Sequence, residues 1–98
     1  MTHRIDLVSR LNEHATAEPG RPALTFLSSG RRDELTYGEL AARVRALSGR
    51  LARRFTPGER VLLVLPADAD FAVCFLACLA SGLVAVPLPV RPHRTARA

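Results

Sequence analysis

Lysine and tryptophan are missing from this chain altogether, and tyrosine and methionine occur once each. All fourteen basic residues are therefore arginine, and no side-chain ammonium exists to contact a phosphate or an acyl carboxylate. The scarcity of aromatics leaves Tyr37 as the one candidate for base stacking outside the apolar runs. The arginines that give the net charge of +5 are scattered: Arg4, Arg10, Arg21, Arg31 and Arg32, then Arg43, Arg45, Arg50, Arg53 and Arg54. Such scatter fits a solvated helix face better than a nucleic-acid footprint, so no nucleic-acid partner is expected. Cysteine is limited to Cys74 and Cys78, four apart, with no nearby histidine or third cysteine to complete a zinc set. They read as small buried apolar residues in a reducing compartment. The opening Met1-Thr2-His3-Arg4-Ile5-Asp6 has no apolar core of the kind a secretory leader needs, which points to a cytoplasmic address.

What is present is ample apolar material. Of 98 residues, 48% are hydrophobic, enough for the core of one small domain or a piece of a larger one. Ile5, Val8, Leu11 and Ala15 recur at helical spacing, predicting an amphipathic helix from Ile5 to Ala17 that Pro19-Gly20 ends. Ala23 to Leu27 reads as a short strand. Ser28-Ser29-Gly30, with Arg31, Arg32 and Asp33, forms a loose loop to a second short strand ending near Leu35. Ser-Ser-Gly is not a phosphate loop, since it has a single glycine and precedes no helix directly.

Thr36 and Glu39 stand three apart at the start of the next helical pattern, the spacing of a capping box, and Leu35 with Leu40 supplies a hydrophobic staple. From Tyr37 to Phe55 a buried stripe of Leu40, Val44, Leu47 and Leu51 faces away from the arginines. After the turn Thr56-Pro57-Gly58-Glu59, the run Arg60 to Leu65 is continuously apolar beyond its first residue. That is the pattern of a parallel strand covered on both faces. Asp68 and Asp70 sit where a helix begins and read as a cap and a favourable charge rather than an acid–base pair. The helix runs to Ser81, Gly82 is its left-handed stop, and Leu83 to Leu88 forms a further strand. Strand, helix and strand make a βαβ unit with two parallel strands. A rival pattern overlaps it: Phe71 to Val90 carries no charge and is followed by Arg91, Arg94 and Arg97, as a membrane span would be. Gly82, Pro87, Pro89 and the β-branched stretch Val84 to Val86 argue against that reading.

Three of these segments together resemble the amino-terminal region of ATP-dependent adenylate-forming enzymes, the AMP-binding superfamily. Leu35-Thr36-Tyr37-Gly38-Glu39-Leu40 is similar to its first core motif, and Leu79-Ala80-Ser81-Gly82-Leu83-Val84-Ala85-Val86-Pro87-Leu88 to its second. Pro57-Gly58-Glu59-Arg60-Val61 resembles the turn before its first long parallel strand. Phe75 to Gly82 and the exit Pro87-Leu88-Pro89-Val90-Arg91-Pro92 are most similar to the fatty acyl-AMP ligase branch. The resemblance implies a ligase of fatty acid metabolism or polyketide biosynthesis. Such an enzyme uses ATP and Mg²⁺ to make an acyl-adenylate, then loads an acyl carrier protein; coenzyme A is the acceptor in the rival branch.

The same resemblance implies an α/β fold, a partial parallel sheet with flanking helices and a short amino-terminal hairpin. Residues 1–98 then form an incomplete amino-terminal subdomain of an adenylation domain. Departures from the family pattern are equally informative. The Ser/Thr/Gly-rich phosphate loop, the ribose-binding acid, the hinge and the adenylation lysine have no counterpart, so no catalytic, cofactor-binding or metal site residue is assigned. The expectation is an inactive fragment holding no cofactor of its own, prone to oligomers or aggregation through uncovered apolar surface. Two rivals stand beside it: a non-catalytic module completing a separately encoded ligase, the remainder of a split enzyme, and a small membrane-anchored protein held through residues 71–90.

Overall fold

Local capping and apolar periodicity account for seven elements in the computed structural model, which describes residues 6–28, 30–66 and 68–88. Helix α1 (Leu7–Ala17) begins where the Asp6 carboxylate accepts from the Ser9 N–H, and it buries Leu11. The expected start at Ile5 lies outside the described residues. Strands β1 (Pro22–Ser28) and β2 (Arg31–Thr36) pair antiparallel. Because Ser28 pairs with Arg31, the loop holds two residues and is tight, not loose. Gly30 supplies the φ of +78° that such a hairpin turn needs. The expected loop residues Arg31, Arg32 and Asp33 belong to the strand, where Arg32 and Glu34, two apart on one face, pair at 2.9 Å.

Helix α2 (Tyr37–Arg54) follows β2 without a break, and its N-cap is the capping box expected from the sequence. Leu35 and Leu40 are both buried in one core cluster with Leu11, Ala41, Val44, Val73 and Ala77. Leu47 and Leu51 extend the stripe as partly buried neighbours, while Arg43, Arg45, Arg50, Arg53 and Arg54 are exposed. Strand β3 (Arg60–Leu63), helix α3 (Ala69–Ala80) and strand β4 (Val84–Pro87) form the βαβ unit, with β3 and β4 parallel. The two sheets stay separate, each of two strands. Both parallel strands are shorter than the apolar runs that predicted them, because each has a single partner and register pairing ends at Leu63 with Pro87. A second correction concerns cover. Leu63, Leu83 and Cys78 form a buried cluster on the α3 side, whereas Leu62, Val64 and Val84 are exposed, so only one face of the pair is packed.

Ala77 is fully buried between α2 and α3, and the Ser81 hydroxyl donates to the Ser48 carbonyl at 3.2 Å, pinning the end of α3 to α2. The long apolar run beginning at Phe71 is divided between α3 and β4, and among the described residues no helix is long and apolar enough to cross a membrane. Pro89 and Val90 of that run lie outside the described residues.

The capping box gives the first test. Thr36→Ala removes the acceptor for the Glu39 N–H, so the urea midpoint of the chain should fall by the equivalent of about 1 kcal/mol, with an unchanged m-value. An unchanged midpoint would show that the Thr36 cap contributes nothing to stability.

Candidate functional site

In the first motif every leading amide of α2 has a partner within the protein. The Thr36 hydroxyl accepts from the Glu39 N–H at 3.1 Å, and the Glu39 carboxylate accepts from the Thr36 N–H at 2.9 Å. The Tyr37 N–H donates to the Arg21 carbonyl and the Gly38 N–H to the Pro19 carbonyl, each at 2.9 Å. A methyl group at Gly38 would lie 3.2 Å from both the Cβ and the carbonyl oxygen of Pro19, so a larger residue here would have to push Pro19 back by a few tenths of an ångström. The Tyr37 ring stacks on His14 with centroids 4.8 Å apart. Tyr37, the one candidate for base stacking, is therefore already stacked inside the fold. The motif fastens the loop between α1 and β1 to the start of α2.

The second and third motifs interlock with each other. Ser81 caps α3, Gly82 follows at φ +76°, and the Leu83 N–H returns to the Cys78 carbonyl at 2.9 Å while the Gly82 N–H reaches Leu79 at 3.2 Å. These two bonds are a Schellman motif, and Leu83 and Cys78 pack together beneath it. The Gly82 carbonyl then accepts from the Gly58 N–H at 2.8 Å, and the Glu59 carbonyl from the Val84 N–H at 2.8 Å. Gly58, at φ +93°, lets the Thr56–Glu59 turn lie flat against Gly82. The Glu59 carboxylate closes that turn, accepting from the Thr56 N–H at 2.6 Å and the Thr56 hydroxyl at 2.7 Å. Those two donors hold its pKa below the ordinary 4.5, the backbone bond being the larger cause.

Helix N-termini are the natural anion sites of an α/β fold, and each of the three among the described residues is occupied by the protein's own oxygen. Asp6 caps α1, Thr36 caps α2, and the Asp68 carboxylate accepts from the Asp70 and Phe71 N–H groups of α3 at 3.1 and 3.2 Å. A cleft of about 440 Å³ beside the start of α3 is bordered by Asp33, Asp68 and Asp70, charges that oppose a phosphate. These residues do not fit a nucleotide. Among the described residues no group of three histidine, cysteine or acidic side chains is placed to hold a metal. Cys78 is buried and Cys74 half-buried; both are free, and burial pushes both thiols up, with Asp70 and Asp68 adding to the effect at Cys74. Protonated thiols of this kind are poor nucleophiles. The Gly38–Pro19 approach, the Gly58–Gly82 bond and the His14–Tyr37 stack were not visible in the sequence, since each joins segments that no local pattern links.

The family model of the AMP-binding enzymes matches residues 11–97. The chain is similar to the long-chain-fatty-acid–AMP ligase FadD32 of Mycolicibacterium smegmatis, 34% identical over 98 residues that cover 93% of this chain and 16% of that protein. It is also similar to the medium-chain-fatty-acid–[acyl-carrier-protein] ligase JamA of Moorena producens, 32% identical over 85% of this chain and 14% of that one. Its fold resembles the crystal structure of a fatty acid AMP ligase from Legionella pneumophila, with a TM-score of 0.82 and 31% identity over 92% of this chain and 16% of that one. The chain thus spans about one sixth of the length of these proteins.

The turn at Glu59 sets a pH dependence. Its lowered pKa means that the carboxylate's contribution is fully present above the ordinary value of 4.5 and is lost as pH falls through the lower folded value. Glu59→Gln should therefore melt lower than the native chain near neutral pH, and the gap should narrow on acidification below 4.5. A gap that is constant with pH contradicts the assignment.

Proposed function

The chain belongs to the AMP-binding enzyme family, and we propose that within it these residues supply the amino-terminal scaffold of a fatty acyl-AMP ligase. The observation that carries this reading is the three motifs in register along one chain, inside a family match that spans residues 11–97. The names of the similar proteins support the substrate class: one is a long-chain-fatty-acid–AMP ligase and another a medium-chain-fatty-acid–[acyl-carrier-protein] ligase. The reaction of such a ligase joins a fatty acid carboxylate to the α-phosphate of ATP, releasing pyrophosphate. The carrier's phosphopantetheine thiol then takes the acyl group and releases AMP. The acceptor proposed is a carrier protein, as in the name of the second relative, although other similar proteins are named fatty-acid–CoA ligases.

On this reading the chain by itself is a scaffold and not the catalyst. Phosphoryl chemistry requires cations and backbone donors aimed at the reacting phosphate. Here the helix N-termini are capped from within and no lysine is present. ATP and Mg²⁺ are accordingly assigned to the part of the ligase that carries the phosphate loop, working in the cytoplasm. The exposed apolar residues of β3 and β4 support self-association of the isolated chain.

Purified alone, the chain should catalyse no ATP–pyrophosphate exchange with any fatty acid from medium to long chain length. Mixed with a fatty acyl-AMP ligase that lacks the matching segment, it should restore exchange. Exchange by the chain alone would overturn the scaffold reading, and an assembled mixture that exchanges only with amino acids would overturn the fatty acid assignment.

A further inference from the structure

Positive charge is concentrated in helix α2. It holds Arg43, Arg45, Arg50, Arg53 and Arg54, all exposed, against a single acid, Glu39. Glu39 is committed to the capping box, where its carboxylate accepts from the Thr36 N–H. None of the five guanidinium groups has an ion-pair partner among the described residues; Glu18 and Glu34 pair with Arg21 and Arg32 instead. The helix therefore presents a field that the chain itself leaves uncompensated.

Helical geometry sorts these charges. At 3.6 residues per turn, the positions seven and eleven beyond Arg43 return to within about 20° of it. Arg43, Arg50 and Arg54 thus form one line along the helix, about 10 and 6 Å apart at 1.5 Å per residue. Ala42, Ala46 and Gly49, all exposed, form the adjoining strip, with Arg45 beyond it and Arg53 at its end. Arginine borders on both sides a strip with almost no side chain of its own. Glycine in mid-helix destabilises relative to alanine, and no contact within the chain asks for Gly49, where an added Cβ meets nothing within 4 Å. Close approach of another backbone is what such a position allows.

These features decide between occupants. A lipid surface is entered by large apolar side chains, and the strip offers alanine and glycine. A nucleic acid would find partners for its phosphates but no side chain able to read a base. A protein helix fits both parts. Its backbone can approach along the small residues to the lower limit of helix packing, about 8 Å, and its carboxylates can meet guanidinium forks on either side.

Resting on the ligase reading above, we propose that this face of α2 is the docking surface for an acidic helix of the acyl carrier protein that receives the acyl group. Of the reactants in that reading, only the carrier can span a line of about 16 Å with several negative charges. Carboxylates seven and four residues apart on its helix face Arg43, Arg50 and Arg54, and a small residue lies over Gly49.

The test titrates the full chain into the fluorescently labelled acyl carrier protein of the ligase JamA from Moorena producens and follows its anisotropy. Saturable binding is expected, weakening as salt is raised. Arg50→Glu should weaken it about tenfold, whereas Arg10→Glu on the exposed side of α1, with the same change in net charge, should leave it unchanged. Gly49→Leu alters no charge. It should raise the melting temperature by strengthening the helix, yet weaken binding about tenfold by filling the strip. No saturable binding, equal losses from Arg50→Glu and Arg10→Glu, or a Gly49→Leu chain that binds as before overturns the docking surface. So does duplex DNA that displaces the carrier at equal concentration of charge, which would assign the face to nucleic acid. ATP–pyrophosphate exchange is measured separately, in the mixture with the ligase that lacks the matching segment. Exchange without carrier binding removes the surface and keeps the ligase reading; carrier binding without exchange does the reverse.

Discussion

The left-handed residue Gly82 is the constraint on which the carboxyl-terminal half of the fold depends. Without it the uncharged run from Phe71 onwards meets no helix breaker before Pro87. At φ +76° the chain reverses, Leu83 drops into the core beside Cys78, and the Gly82 carbonyl is turned towards the Gly58 N–H. That single bond aligns the turn before β3 with the end of α3, and the Val84-to-Glu59 bond then starts the parallel register. A side chain at position 82 would carry the strain of a left-handed backbone, while its Cβ would meet the Pro57 Cβ at an ordinary contact distance of 3.6 Å.

Local rules were legible in the sequence, and contacts between distant segments were not. The Thr36–Glu39 box, the Asp68 cap, the Gly82 stop and the stripe on α2 all depend on residues within one or two turns of one another, and the structure has each where the spacing puts it. Arg31, Arg32 and Asp33 have the polarity of a loop, yet in a two-stranded sheet they are ordinary strand residues. The cover on β3 differs from expectation for a related reason. A continuous apolar run signals burial on both faces, and the sequence cannot say that the second layer is missing from the residues at hand. At the motifs, the pattern named the family without revealing what the residues do; only the Pro19–Gly38 and Gly58–Gly82 distances show that they are joints.

Those joints bear on function. A glycine-containing motif at a helix start invites a phosphate reading, and here the amides that would serve one are already bonded to Thr36, Arg21 and Pro19. The same holds at α3, where Asp68 supplies the anion itself. The chain invests its caps in shape. Its unspent interaction capacity lies elsewhere, in the apolar face of β3 and β4 and in the exposed arginines of α2. A family member in which one segment scaffolds and another reacts accounts for both halves of that observation.

The central claim, that these residues scaffold a nucleotide site without forming one, is tested most directly by titrating the ¹⁵N-labelled chain with ATP·Mg²⁺ while following its amide resonances. The account predicts no saturable shift at Tyr37, Gly38, Asp70 or Phe71, whose N–H groups have partners within the fold. Saturable shifts confined to those amides would mean that the caps yield to phosphate and that the chain holds a nucleotide site of its own.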